Sequence, residues 1–342
     1  MITLILTGIT LTAFAANSLL CRMALGGNLI DPVSFTSIRL VSGAIALALM
    51  SRLIRESTAP DEARGSWGSG FALFAYAVTF SLAYVSLNTG MGALILFGSV
   101  QVTMLVAALK SGERLGAAQW FGLAWAFGGL IYLVLPGISA PDPLGAVLMI
   151  TAGVSWGVYS IRGKGSAAPV LMTAGNFARS APMAIMASAI AFSAIYLEPV
   201  GIALALISGI VTSGLGYVLW YTALRSLSTT QASVAQLLAP PLAAFGGVAF
   251  LSEQVSFRLI AASTIILGGV AFLSEQVSFR LIAASTIILG GVALAVIKRK
   301  PDVGFFKEAR GPANQFEPGT ETLASGPCSG GRYAASLVCP VN

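Results

Sequence analysis

An all-α polytopic membrane protein is the fold class this sequence predicts, and three observations carry it. Of 342 residues, 56% are hydrophobic and 9% charged, and the mean hydropathy is +0.86. The apolar letters fall in runs of the length a bilayer-crossing helix needs, about 20 residues. Positive charge also alternates from one connecting segment to the next. A soluble domain of this size carries far more charge than this on its surface.

Apolar runs and their polar breaks place five spans at 2–23, 33–54, 67–87, 90–109 and 117–135. Five more follow at 144–161, 168–191, 200–224, 232–251 and 257–273, and an eleventh at 279–297. With the N-terminus inside, Arg52, Arg55, Arg64, Lys110, Arg114, Arg162, Lys164 and Arg225 all fall on cytoplasmic connections. Arg22 and Arg258 alone fall near outer ends, and "SLNTG" (86–90), "GISAPDP" (137–143) and "YLEP" (196–199) carry no cation. This is the positive-inside pattern, so the expectation is a multi-pass inner-membrane protein with a cytoplasmic N-terminus. Residues 301–342 mix Gly, Pro, Ser and charge without periodicity and are expected to be a disordered tail.

Several function classes drop out. The balance of +6 reflects cationic loops rather than a nucleic-acid surface, since no basic patch interleaved with aromatics occurs. Cys21, Cys328 and Cys339 have no metal-ligand spacing, and no metal or cofactor is expected. "SLLC" (18–21) lacks the small residues of a lipoprotein box, and no basic region precedes the first run, so that run stays as a helix. "GVSWG" (153–157) matches the nucleophile pattern G-x-S-x-G, but Ser155 would need a base, the chain has no histidine, and the stretch lies within a helix. The same letters read as G-x-x-x-G, small residues that let helices approach closely in lipid. An enzyme is not expected.

Two repeats organise the chain. The 22 residues 246–267, "GGVAFLSEQVSFRLIAASTIIL", recur letter for letter at 268–289, a recent tandem duplication. An older repeat appears at an ungapped offset of 140: Arg22 meets Arg162, Arg39 meets Arg179, Glu113 meets Glu253, and Gly128-Gly129 meets Gly268-Gly269. Each unit holds five spans, an odd number, so the second enters the membrane inverted, as in secondary transporters. The expected domains are a first five-helix repeat (1–135), a second, inverted one (141–275), an extra apolar helix from the duplication (276–297) and the tail (301–342). The first copy's helix is short, 15 residues from Leu259 to Leu273, or about 22 Å against a core of about 30 Å. The second copy ends in Lys298-Arg299-Lys300, cations that resist crossing, and the extra segment is expected outside the transport core.

Three stretches carry a resemblance: "AFAANSLLCRMALGGNLIDPVSFTSIRLVSGAIAL" (13–47), "GALILFGSVQVTMLVAALKSGERL" (92–115) and "LAPPLAAFGGVAFLSEQVSFRLI" (238–260). They resemble the EamA family of the drug/metabolite transporter superfamily, whose half-ending helices follow a Gly-Glu or Ser-Glu loop and hold a Gly-Gly pair. Glu113 with Gly128-Gly129 and Glu253 with Gly268-Gly269 fit that description. The resemblance covers about residues 1–297 and implies ten helices in two inverted repeats. It also implies small metabolites, amino acids or drugs as substrates, often exported, and a peripheral place for the fifth and tenth helices. Eleven candidate spans depart from that pattern.

Polar and aromatic residues inside spans mark the candidate cavity. Arg39 and Arg179 sit in apolar runs, where a guanidinium is costly unless partnered; they contact an anionic substrate group or pin helices together. Asn17, Gln101, Asn176 and Gln236 must face protein or a wet cavity, and Pro240-Pro241 frees carbonyls in the span that carries Gln236. Trp156 and Tyr159 share a helix face, and Tyr217, Trp220 and Tyr221 repeat that arrangement. They form either an aromatic cavity wall or a belt at the interface. No Asp, Glu or His lies mid-span to relay protons. The expected function is export of small solutes by alternating access, acting as monomer or homodimer in the bilayer. A non-transporting scaffold or sensor is the alternative, and a wet cavity between the halves would separate the two.

Overall fold

The helix starts follow from capping chemistry written in the chain. Asp31 accepts from the amides of Val33 and Ser34 at 3.1 and 2.8 Å. Ser66 accepts from Ser69 (3.2 Å), Asp142 from Gly145 (2.6 Å) and Ser256 from Leu259 (3.1 Å). Each satisfies first-turn donors that have no partner within the helix. Pro32, Pro143, Pro169 and Pro199 open helices at the position where a missing N–H costs nothing.

A computed structural model describes residues 2–54, 64–112, 116–134, 140–227, 229–254 and 256–273, all within one compact unit, Met1–Arg299. Apart from an isolated bridge between Ile30 and Leu197, the regular structure among these residues is helical. In order come α1 (Ile2–Gly26), α2 (Pro32–Ile54), α3 (Trp67–Ser86), α4 (Thr89–Lys110), α5 (Ala117–Val134), α6 (Pro143–Gly163) and α7 (Pro169–Ile190). Next, α8 (Pro199–Ile207), a π-helical stretch (Ser208–Leu215) and α9 (Gly216–Leu224) run on without a break. Likewise α10 (Thr229–Ala235), a 3-10 turn (Gln236–Leu238) and α11 (Ala239–Leu251) form one rod before α12 (Phe257–Leu273). These limits fall within a few residues of the spans read from the sequence. Among the described residues, six helices are long and apolar enough to cross a membrane. Glu113, the expected extra helix (276–297) and the tail lie outside the described residues.

Helices α1, α2, α3, α4, α6, α7 and α9 make the centre: α3 lies on α6 and α7, α2 on α7, α4 on α6, and α1 on α9 and α11. The glycines of "GVSWG" serve this packing. Gly153 of α6 meets Leu96 and Ser99 of α4, and Gly157 meets Thr103, leaving no room for a Cβ. By contrast, α5 and α12 pack chiefly on each other.

Charge divides the two ends of the bundle. At one end Arg22 donates to the carbonyls of Tyr84 and Val85 (both 2.9 Å), Asp142 accepts from Ser86 (3.1 Å), and Asp31 accepts from the Tyr196 amide (3.1 Å). At the other, Arg162 donates to Ser69 (3.1 Å), Lys164 to Thr229 (2.6 Å) and Arg225 to the carbonyl of Ser166 (2.9 Å). Among the described residues, all four carboxylates (Asp31, Asp142, Glu198, Glu253) belong to the first end. We refer to these as the acidic and basic ends.

Candidate functional site

Midway between the ends, side chains from five helices meet in a closed aromatic cluster. Trp156 of α6 stands 4.6 Å from Tyr217 of α9, 5.1 Å from Tyr76 of α3 and 5.2 Å from Phe14 of α1, centroid to centroid. Phe14 also touches Trp220 (5.6 Å), Tyr159 touches Trp156 (5.6 Å), and Phe177 of α7 touches Tyr217 (5.8 Å). All are buried. The aromatic pairs are therefore cluster residues rather than an interfacial belt. The Trp156 indole N–H donates to Gln236 Oε1 at 2.8 Å, and the Gln236 amide turns back to Met104 Sδ and the Ala232 carbonyl, both 3.4 Å.

Arg39 is the charge at the centre of this cluster, with 0% of its surface exposed. Its Nε donates to Ser213 (2.8 Å), and one terminal nitrogen donates to the hydroxyls of Tyr217 (2.8 Å) and Tyr76 (3.2 Å). The guanidinium also lies 5.2 Å from the Tyr76 ring and 5.3 Å from Phe80. Its other terminal nitrogen has no hydrogen-bond partner, and neither does the buried indole N–H of Trp220. Every described partner of Arg39 is a neutral hydroxyl or a ring face. Neutral dipoles offset only part of the cost of burying a cation, several kcal/mol by rough estimate.

The π-helical stretch makes this geometry possible. Its wider turn lets Ser208 and Thr212 donate to Asn17 Oδ1 (2.7 and 3.1 Å) while the next residue, Ser213, reaches Arg39. Asn17 then donates to the Tyr76 hydroxyl at 3.3 Å, joining α1 to the same network. Gly209 presses against Ser42 and the Arg39 carbonyl, so the wide turn sits flush on α2.

The structure thus brings together Asn17, Arg39, Trp156, Tyr159, Tyr217, Trp220 and Gln236. Gln101 is buried on α4, one turn before Met104. Asn176 is buried beside Phe177 but accepts from the Ser66 amide (3.0 Å), toward the basic end. Arg179 stands apart: it is half-buried at that end, donating to the carbonyls of Arg64 and Gly175 (both 2.9 Å) over the Trp67 ring. The starts of α2 and α7, Pro32 and Pro169, are 137 residues apart rather than 140, so counted from its helix start Asn176, and not Arg179, stands where Arg39 does. Phe14, Tyr76, Phe80, Ser208, Thr212 and Ser213 were not among the sequence candidates; the polar run "SGIVTSG" (208–214) was the available signal.

Among the described residues the centre is closely packed. The void beside the cluster, lined by Phe14, Ser18, Tyr76, Phe80, Leu96, Phe97 and Trp156, holds about 10 Å³. A larger pocket of about 310 Å³ opens at the acidic end, where Asn88, Asp142, Glu253 and Gln254 contribute its polar lining together with Ser86 and Ser256.

Apolar membrane-length helices around a buried polar centre define a multi-pass membrane protein, and comparison with known proteins gives the family. Residues 143–275 match the model of the EamA-like transporter family. An uncharacterized protein of Pseudomonas aeruginosa is 47% identical over 264 residues, spanning 77% of this chain and 91% of that one. A protein of Streptantibioticus cattleyicolor named "Probable terminal-alkyne amino-acid exporter" is 26% identical, spanning 73% of this chain and 84% of its own length. An uncharacterized transporter of Bacillus subtilis is 22% identical, spanning 71% and 87%. A solved crystal structure shares the fold at a TM-score of 0.60 and 19% identity, covering 80% of this chain and 99% of its own. The chain belongs to the EamA-like transporter family and is a membrane transporter.

Proposed function

We propose that this transporter exports small carboxylate-bearing solutes, amino acids foremost, across the inner membrane by alternating access. One observation carries the reading: the Arg39 guanidinium is buried without a carboxylate counterion among the described residues, and one of its nitrogens is unpartnered. A bound carboxylate would supply the missing charge and acceptor, in a setting where such a bond is worth more than in water. Trp156, Tyr217, Tyr159 and Trp220 would then hold the solute's side chain. The amino-acid exporter named among the relatives favours the same class.

The architecture we infer is a ten-helix core of two inverted five-helix repeats, with the duplicated segment added at its edge. In favour of it, α5 and α12 start 140 residues apart, as do α4 and α10. The N-terminus is taken as cytoplasmic, which puts the basic end inside. The packed centre fits an occluded state of this cycle. It also fits the scaffold alternative, so flux must decide between them.

Reconstituted into proteoliposomes loaded with a panel of amino acids, the protein should catalyse exchange of at least one, and Arg39→Met should abolish it. No flux of any carboxylate, with flux of amines or nucleosides instead, would overturn the substrate class. Absence of all flux from monodisperse protein would favour the scaffold.

A further inference from the structure

At the acidic end one carboxylate ties together three parts of the chain that are remote in sequence. Glu253, in the turn between α11 and α12, accepts from the Thr89 amide through both oxygens (3.0 and 2.9 Å) and from the Thr89 hydroxyl (3.1 Å). It also pairs with Arg22 of α1 at 3.4 Å. Arg22 in turn holds the Tyr84 and Val85 carbonyls, which end α3. Ser252, just before Glu253, is held in the left-handed region at φ 53°, which costs a non-glycine residue about 1 kcal/mol. That turn aims the carboxylate inward, and Gly247 admits it, because a Cβ there would collide with Glu253 Oε2.

The position of this cluster is what gives it meaning. Outside it lies the 310 Å³ pocket, whose lining includes Glu253. One helical turn beneath Arg22 is Ser18, which lines the small void against Phe14 and Trp156. Pocket, ion pair, void and aromatic cluster are therefore met in sequence from the acidic end toward the centre. The pair stands at the boundary of water, with side chains 20% (Arg22) and 12% (Glu253) exposed.

We propose that Glu253, Thr89 and Arg22 form the latch of the acidic-end gate, and that the site opens to that face only when this cluster parts. The alternation in the test below rests on the transport reading; the latch itself does not. Parting it leaves three donors for water to satisfy and turns the outer pocket and the void into one passage. The other charged and titratable groups near the carboxylate are Asp142, on the pocket wall, and Tyr84, whose hydroxyl donates to the Thr89 carbonyl at 3.3 Å.

The test uses the full chain in membranes, with Cys21, Cys328 and Cys339 replaced by serine and a single reporter cysteine labelled by a membrane-impermeant maleimide. Ser18→Cys reports the passage, Ser160→Cys the opposite side of the cluster, and Ser193→Cys, on an exposed turn, sets the reference rate. Glu253→Ala should raise Ser18→Cys labelling about tenfold and lower that of Ser160→Cys. Gly247→Ala, which leaves the carboxylate in the chain but displaces it, should do the same to a smaller degree. Unchanged labelling at Ser18→Cys in both variants overturns the latch; so does a rise at both reporters, which is general loosening. If Glu253→Ala does not accumulate, Gly247→Ala alone decides. The readout needs no substrate: an opening latch with no flux would overturn the transport reading and leave the latch standing.

Discussion

Arg39 and Arg179 sit in neighbouring helices that pack on each other, yet they live in different physical regimes. Arg39 has no exposed surface and only neutral partners, whereas Arg179 reaches backbone carbonyls at the water-facing basic end. The first cation is expensive to bury, and the proposed carboxylate-bearing solute would supply its counterion. The second is held where solvent and carbonyls share its charge at little cost. Depth, rather than residue type, separates the two.

The comparison breaks most readily at Arg39. Arg39→Met should lower flux at least about a hundredfold, or about 3 kcal/mol, as expected for losing charged hydrogen bonds. Because it replaces a buried charge by an apolar chain, thermal stability in detergent should hold or rise. A parallel loss of melting temperature and flux would make Arg39 a structural pin instead. Trp156→Phe comes next: it keeps the ring packing but strands Gln236 Oε1, and should cost about 1 kcal/mol, a fivefold change in apparent affinity. Equal affinity in competition assays would remove Trp156 from the site. Arg179→Ala should change flux by no more than about threefold, since exposed interactions of this kind are weak. A loss as large as that of Arg39→Met would erase the distinction.

The smallest expected effect concerns pH. Burial holds the Glu253 carboxyl above its ordinary value, and the Thr89 and Arg22 contacts only partly oppose it. A group whose value is raised in the closed state binds its proton more tightly there than when solvated. Closure is therefore strengthened below that raised value and weakened as pH rises through it. The Ser18→Cys rate, relative to Ser193→Cys, should be a few-fold slower at acid than at neutral pH, and Glu253→Ala should flatten the difference.

Helix positions were legible because the signals are local: apolar runs between D-P, E-P and A-P starts define α2, α6, α7 and α8 almost to the residue. Arg39, Trp156, Tyr217 and Gln236 were legible because a polar or amphipathic side chain in an apolar run must find company. Register was harder to read. The connections before α2 and α7 (27–31 and 164–168) are equally long, yet the helix starts lie 137 residues apart there and 140 apart for α5 and α12, so a single ungapped offset does not align every helix start. Glu253 was visible as a helix-end acid, but its partners lie 164 and 231 residues away, and no spacing rule reaches that far. Ser213 was hidden for a different reason. In an α-helix it would point well away from the face that holds Ser208 and Thr212, and only a π turn brings all three inward.

That turn fixes the length of its helix as strictly as any side chain fixes a contact. A wide turn holds one residue more than an α turn, so deleting a single residue between Ser208 and Leu215 lets the segment relax to ordinary α geometry. The helix before and after the stretch then keeps its facing, so Tyr217, Trp220 and Tyr221 stay at the centre. What is lost is the extra room in the turn: Ser208, Thr212 and Ser213 can no longer all face Asn17 and Arg39. Such a deletion should spare the fold and unmake the polar network around the buried cation.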